Sequence, residues 1–293
     1  MKQLLIILFV FGITSCKNNN HQVDAYGSFE ADEILVSSEI GGKIVLQNAD
    51  DGDLINKSQL LAVIDTINLD LQRKQLVARQ ESVKANLEKI LADVEVLKAQ
   101  KENLQITSKR LHQMLKDGAA SRQKIDDVDG QIDVINRQII SVQTQHVSSQ
   151  KQLDVLDAQI GIVNDQLRRC LISSPVNATV LETYYEQGEI VQPGKSIYKI
   201  ADLSTMTLRV YISGGQLKDV KLGSEVQVYI DKGKKEYDEL KGTVSWIASK
   251  AEFTPKIIQT KEERVKMVYA VKIKVPNDGR LKIGMPGEIR IIR

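Results

Sequence analysis

The sequence predicts an α+β chain: a long antiparallel helical hairpin inserted in a split β-sandwich, followed by a small β-barrel. Three observations carry this. Residues 67–169 hold an apolar seam at coiled-coil spacing. The segments on either side of that stretch repeat one another without a gap, at an offset of 136. From Leu203 onward the apolar residues alternate with period two.

The hairpin rests on spacing. Leu69, Leu76, Val83, Ile90, Leu97, Leu104 and Leu111 recur every seven residues. A second arm runs from Ile125 to Leu167 in alternating steps of three and four, broken only by His146 and Ser149. That period keeps one narrow stripe facing a partner helix. No proline precedes Pro175 and no glycine lies between Gly52 and Gly118, so nothing interrupts the first arm. The turn at Asp117-Gly118-Ala119-Ala120 folds one arm onto the other, with Gly118 supplying a positive φ. Arms of this length predict a rod of roughly 75 Å.

At the N-terminus, Met1-Lys2 precedes an apolar run from Leu4 to Ile13, then Thr14-Ser15-Cys16. One positive charge, a short apolar core and small residues read as a secretory signal over residues 1–15, too short to span a bilayer as a helix. Ile13-Thr14-Ser15-Cys16 resembles the bacterial lipoprotein cleavage motif, which implies acylation of Cys16 and anchoring of the chain. Residues 16–26 then form a tether, and 27–34 add a strand to the barrel.

Residues 35–66 and 170–202 are the two sandwich halves. Leu35-Val36-Ser37-Ser38 matches Leu171-Ile172-Ser173-Ser174, and Gly52-Asp53-Leu54-Ile55-Asn56 matches Gly188-Glu189-Ile190-Val191-Gln192. Each half reads as about four short strands, too little to bury a core alone, so the halves pack together. The Gly-(Asp/Glu)-x-Val turn resembles the biotinyl/lipoyl sandwich. In carriers of that type a modifiable lysine stands at the junction of the halves. Here the helical hairpin occupies it, so no carrier lysine and no cofactor are expected.

In the barrel, residues 203–293, period-two runs span 206–212, 224–230, 242–247, 268–275 and 287–292. Turns fall at Gly214-Gly215, Asp231 to Lys234, Pro276 to Gly279 and Met285-Pro286-Gly287. Residues 250–266, polar and containing Pro255, read as an exposed loop.

Composition excludes much. Net charge is +2 with charged residues at 27%, without the basic excess of a nucleic-acid protein. The two cysteines, Cys16 and Cys170, make no disulfide framework, and the histidines His21, His112 and His146 lie far apart. There is no phosphate loop and no nucleophile elbow, so the chain reads as non-enzymatic and any ATP use belongs to a partner. Asp50-Asp51 and Asp126-Asp127 are at turns or near a helix start, where solvated charge is the simpler account. The five methionines do not cluster, and no metal site is expected.

This layout resembles the periplasmic adaptors, or membrane fusion proteins, of the hemolysin-secretion-protein-D family, over Cys16 to Arg293. Ile283 to Ile289 is similar to that family's closing barrel strand, and Ala251 to Arg264 resembles adaptors that accompany ABC-type permeases. No segment beyond the barrel resembles the family's membrane-proximal domain. The resemblance implies a periplasmic, inner-membrane-anchored lipoprotein of a Gram-negative bacterium. Its implied partners are an ABC permease and ATPase, a TolC-like outer-membrane channel, and further copies of itself in a ring of about six. At the hairpin tip the family pattern of arginine, leucine and serine is matched by Arg110 and Ser121, with Met114 in the leucine place and Leu115 beside it. Together with Gly118 these are the implied channel-contact residues. The residues alone leave open that Ser121 caps the second arm, that Met114 belongs to the seam, and that Arg110 is a solvated charge. They also leave open a structural spacer lipoprotein, or an adaptor for a proton-driven pump.

Overall fold

The structure is a computed structural model that describes residues 23–233, 236–253 and 267–292. In chain order the strands before the hairpin are β1 (Ala25–Glu30), β2 (Glu33–Ser37), β3 (Gly42–Gln47), β4 (Leu54–Ile55) and β5 (Leu60–Ile64). Helices α1 (Ile67–Lys116) and α2 (Arg122–Arg169) follow. Then come β6 (Leu171–Ser173), β7 (Ala178–Thr183), β8 (Ile190–Val191) and β9 (Ser196–Ala201). The remainder are β10 (Thr205–Ser213), β11 (Glu225–Asp231), β12 (Tyr237–Ile247), β13 (Glu252–Phe253), β14 (Met267–Pro276) and β15 (Pro286–Ile291). Residues 1–15, read from the sequence as a secretory signal, and Cys16 lie outside the described residues, as do 254–266, most of the segment read as resembling ABC-associated adaptors.

The chain divides into two compact units. One comprises Leu35–Pro175 with Glu182–Lys199; the other comprises residues up to Ile34, Val176–Leu181 and Ile200 onward.

In the split sandwich the internal repeat becomes physical. β3, β4 and β5 start at positions that recur 136 residues later as the starts of β7, β8 and β9. The two four-stranded sheets run β2-β9-β7-β4 and β6-β5-β3-β8, so each takes two strands from each half. Neither half owns a sheet. Ile44, Leu61, Ile64, Ile197 and Tyr198 are fully buried. Tyr198 Oη donates to the Leu61 carbonyl at 3.1 Å, and burial pushes its phenol up to about 12. The hairpin joins this sandwich through Cys170, buried and free, whose carbonyl accepts from Ile64 N at 2.9 Å. Burial, then the nearby Asp65 carboxylate, pushes its thiol up. Arg169 reaches back to Glu39 at 2.6 Å and to Asp165 at 2.6 Å.

α1 and α2 pack along a seam whose buried members are Leu87, Ile90, Val94 and Ser108 on one side, and Ile125, Ser149, Leu153, Leu156 and Val163 on the other. Leu87, Val94 and Ser108 fall outside the Leu69–Leu111 heptad. They belong to a second heptad, Arg73, Gln80, Leu87, Val94, Lys101, Ser108 and Leu115, which is polar at four of its seven places and so reads as surface in the sequence. At two of those polar places the seam uses hydrogen bonds: Gln80 Nε2 donates to Asp157 Oδ1, and Ser108 Oγ to Asp129 Oδ1 at 2.8 Å. No helix among the described residues is long and apolar enough to cross a membrane.

In the second unit, β10-β1-β15-β11-β12-β14 closes through a β10–β14 ladder into a six-stranded barrel, with β13 added beside β14. Inward residues alternate as the sequence requires: Met206, Leu208, Val210 and Ile212 on β10 meet Val271, Ile273 and Val275 on β14. Two expectations shift. β1 begins at Ala25, inside the segment read as tether, because Asp24 N donates to Ile289 O and Ala25 is buried. Glu252-Phe253, read as loop, pair with Met267 and Val268, and Glu252 meets Arg209 at 3.1 Å. Gly27 marks a close approach, since a Cβ there would lie 1.8 Å from the Arg209 carbonyl oxygen.

Candidate functional site at the hairpin tip

The tip is built by a helix end and a helix start. α1 stops because Asp117 leaves the helix and Gly118 takes φ +74°. Gly118 N then donates to Leu115 O at 3.1 Å, and Ala119 N to Met114 O at 2.8 Å, which satisfies carbonyls the helix end would leave open. The role expected of Gly118 is therefore met by its conformation. α2 starts at Arg122 with Ser121 extended in the N-cap position, φ −92° and ψ 148°.

The predicted residues separate by face. Arg110 and Met114 are one turn apart and both exposed, Met114 at 39%. Among the described residues Arg110 forms no ion pair. Leu115 is half-buried and stands in the same heptad as Val94 and Ser108, which makes it a seam residue. Of the two apolar candidates, Met114 is the one turned outward. Ser121 is exposed, and its side chain makes no capping hydrogen bond, so the cap reading of its hydroxyl is not realised here.

Just below the tip is a polar clasp that the sequence did not suggest. Ser108, 9% exposed, donates through Oγ to Asp129 on the opposite helix. His112 Nδ1 lies 2.9 Å from the Ser108 carbonyl. A carbonyl only accepts, so Nδ1 is the donor in this contact, and the His112 ring is otherwise exposed. Ile125, buried, closes the seam above the clasp. The only sequence signal for this group was a serine on the second, interrupted heptad.

What this arrangement offers is recognition. A forked cation and a flexible thioether, Arg110 and Met114, share one exposed face of α1, and the Ser121 hydroxyl is exposed at the start of α2. Among the described residues no group of three or more His, Cys, Asp or Glu could hold a metal. At the other end of the hairpin, a groove of about 990 Å³ is lined by Gly42, Lys43, Leu69, Gly161, Ile162 and Asp165, among others, and is open to solvent.

No family model matches the chain. It is similar to a UPF0194 membrane protein of Citrobacter koseri, 27% identical over 287 residues, covering 89% of this chain and 86% of that protein. It is also similar to the UPF0194 membrane protein YE2891 of Yersinia enterocolitica, 30% identical over 129 residues; the match spans 43% of this chain and 38% of that relative. Among solved structures, MacA from Actinobacillus actinomycetemcomitans matches with TM-score 0.54 at 22% identity, over 90% of this chain and 76% of that one. The periplasmic adaptor protein EmrA matches with TM-score 0.48 at 17% identity, over 92% and 98%. The chain shares the MacA fold, and its structural neighbours are membrane fusion and periplasmic adaptor proteins.

Proposed function

We propose that the chain is a periplasmic adaptor subunit of an efflux or secretion system. In this reading it joins an inner-membrane transporter, of ABC type, to a TolC-like outer-membrane channel. Cys16 carries the lipid that holds it at the inner membrane, several copies assemble around a conduit, and the interleaved sandwich is a lipoyl-like module without its carrier lysine. The chain has no catalytic role.

The observation that carries the reading is the tip. Arg110, Met114 and Ser121 are exposed at the far end of two helices of 50 and 48 residues, and none of the three is used by the local structure. A spacer without a docking partner has no use for an unpaired cation, an outward thioether and an uncapping hydroxyl at that one place. A channel edge supplies carbonyls and carboxylates for Arg110 and an apolar groove for Met114.

The test is purification of the full-length tagged protein from its own membranes in mild detergent, with partners identified by mass spectrometry. An ABC permease, its ATPase and an outer-membrane channel are the expected companions. A proton-driven pump in their place corrects the transporter class, and recovery of no transporter and no channel overturns the adaptor reading. Arg110→Glu is expected to lose the channel while retaining the transporter.

A further inference from the structure

The strands of the barrel alternate in direction, so their ends fall into two sets. One set holds the starts of β1, β11 and β14, at Ala25, Glu225 and Met267, and the ends of β10, β12 and β15, at Ser213, Ile247 and Ile291. Leu222, Trp246, Met267 and Ile292 are exposed at this end of the barrel. Leu222 is 70% exposed, in a turn that Gly223 closes at φ +82°. Gly223 N donates to Val244 O at 2.8 Å, which lays that turn beside the end of β12 and the Trp246 backbone. Val226 pairs with Ile291, so Ile292 follows level with Glu225 on the neighbouring strand.

Cations stand among these side chains. Lys218 and Lys221 lie between β10 and β11, and Lys250 lies just past β12. All three are exposed, and none forms an ion pair among the described residues. The carboxylates at this end are Asp24, Asp219, Glu225 and Glu252; Asp24 accepts from Ile291 N at 2.8 Å, and Glu252 is paired with Arg209. At the opposite end Lys232 and Arg280 are both ion-paired to Asp238. A tryptophan at a strand end, aliphatic side chains and lysines whose stems can lie along them suit the headgroup layer of a membrane. The apolar residues are spread along a rim with lysines between them. A fluid headgroup layer accommodates that spacing without the close shape match a protein interface requires.

The chain also enters the barrel at this end. Asp24 is fastened there three times: its N donates to Ile289 O at 2.9 Å, its carboxylate accepts from Ile291 N, and its carbonyl accepts from Gln216 Nε2 at 2.7 Å. The stretch from Cys16 to Asp24 reaches at most ~28 Å when fully extended. A lipid on Cys16 would hold this end of the barrel within that distance of the bilayer.

We propose that this end of the barrel is itself a membrane-docking face. Leu222, Trp246, Met267 and Ile292 enter the headgroup layer of an anionic phospholipid bilayer, and Lys218, Lys221 and Lys250 meet lipid phosphates. The reach of the tether rests on the lipid anchor of the reading above; the exposed rim and its lysines do not.

Trp246 is the one tryptophan in the sequence, so its native fluorescence reads the face without a label. Full-length protein is reconstituted in vesicles of phosphatidylethanolamine and phosphatidylglycerol carrying brominated acyl chains, and acylation of Cys16 is scored separately by mass spectrometry. Blue-shifted emission quenched by the brominated lipid is expected. Trp246→Phe combined with Ile283→Trp, which moves the reporter to the opposite end, is expected to be unquenched. Acylated protein in which Trp246 stays unquenched would overturn the docking face and leave the anchor standing. Quenching in protein without acyl chains would overturn the anchor and leave the face standing, and loss of both signals would overturn both. An unquenched Trp246 together with cross-linking of a photoprobe at Leu222→Cys to another polypeptide in native membranes would give the face to a protein, which also overturns the proposal. Leu222→Asp, with circular dichroism and melting unchanged, is expected to weaken the quenching; undiminished quenching would overturn insertion of the turn. Lys218→Glu with Lys221→Glu is expected to lower quenching at least about twofold at low ionic strength, and an unchanged signal would overturn the electrostatic part.

Discussion

The barrel and the hairpin solve the burial problem in opposite ways. The barrel closes its ladder on itself, and every inward side chain, from Phe29 on β1 to Ile291 on β15, meets another inside one short stretch of space. The hairpin is only two helices thick. It buries one side of each helix and leaves the other in water, including aliphatics such as Ile140 and Ile162. A closed barrel couples all its positions, so a fault anywhere is felt everywhere. A two-helix rod couples each position to its near neighbours, so faults stay local and outer faces are free to take up work.

That contrast can be broken in a graded way. Gly27→Ala is expected to cost most, ~3 kcal/mol or more, because the new methyl would collide with the Arg209 backbone carbonyl and β1 would have to move. Denaturant unfolding that leaves the midpoint where it was would refute the close approach. Ile273→Ala, at a fully buried barrel position, is expected to cost about 2–5 kcal/mol across the whole barrel. Ile139→Pro on the hairpin should cost ~3 kcal/mol locally and bend the rod, read as shortened particles in electron micrographs. Straight particles of unchanged length would contradict a continuous α2. Ser149→Leu sharpens the comparison from the other side. Filling a buried polar seam position is expected to raise hairpin stability by about 1 kcal/mol, seen as slower amide exchange confined to the helices. Arg169→Ala should matter least, leaving the denaturant midpoint close to that of the wild type, since its ion pairs with Glu39 and Asp165 are largely solvated.

The same contrast explains what could be read in the sequence. Leu69 to Leu111 announced the first arm because a strict heptad without glycine or proline has no other stable use. The companion heptad stayed hidden, since Arg73 and Lys101 interrupt it and Gln80 and Ser108 look like surface until Asp157 and Asp129 are placed opposite. The barrel strands were legible from alternation, and β1 was legible as a strand. Its partners were not: Gly27 pairs with Val210 and with Gly287, and nothing local in the sequence specifies contacts that remote. The shift in the β12–β14 ladder between Val244 and Trp246 was equally invisible. At the tip, Gly118 could be assigned from turn chemistry alone. The outward turn of Met114 and the inward one of Leu115 needed the helix phase, and the clasp of Ser108, Asp129 and His112 needed both helices.

The interleaving of the sandwich has a consequence for the order of events during synthesis. Neither sheet is complete until strands on both sides of the hairpin exist: β3 and β5 can pair with each other, but the outer edges of that ladder wait for β6 and β8. At 5–20 residues per second the intervening helices take roughly 5–20 s to translate, during which the first half has only the β3–β5 ladder of its own. Closing so long a loop by diffusion would carry an entropic penalty of ~4 kcal/mol before any strand paired. Seam pairing that ran from Gly118 downward would remove that penalty, each turn drawing Val63 and Leu171 nearer until the last one brings them side by side. On that route the rod would assemble its own base, and a chain whose zipper stalled would be caught with the outer edges of β3 and β5 bare, open to the nearest strand of another molecule.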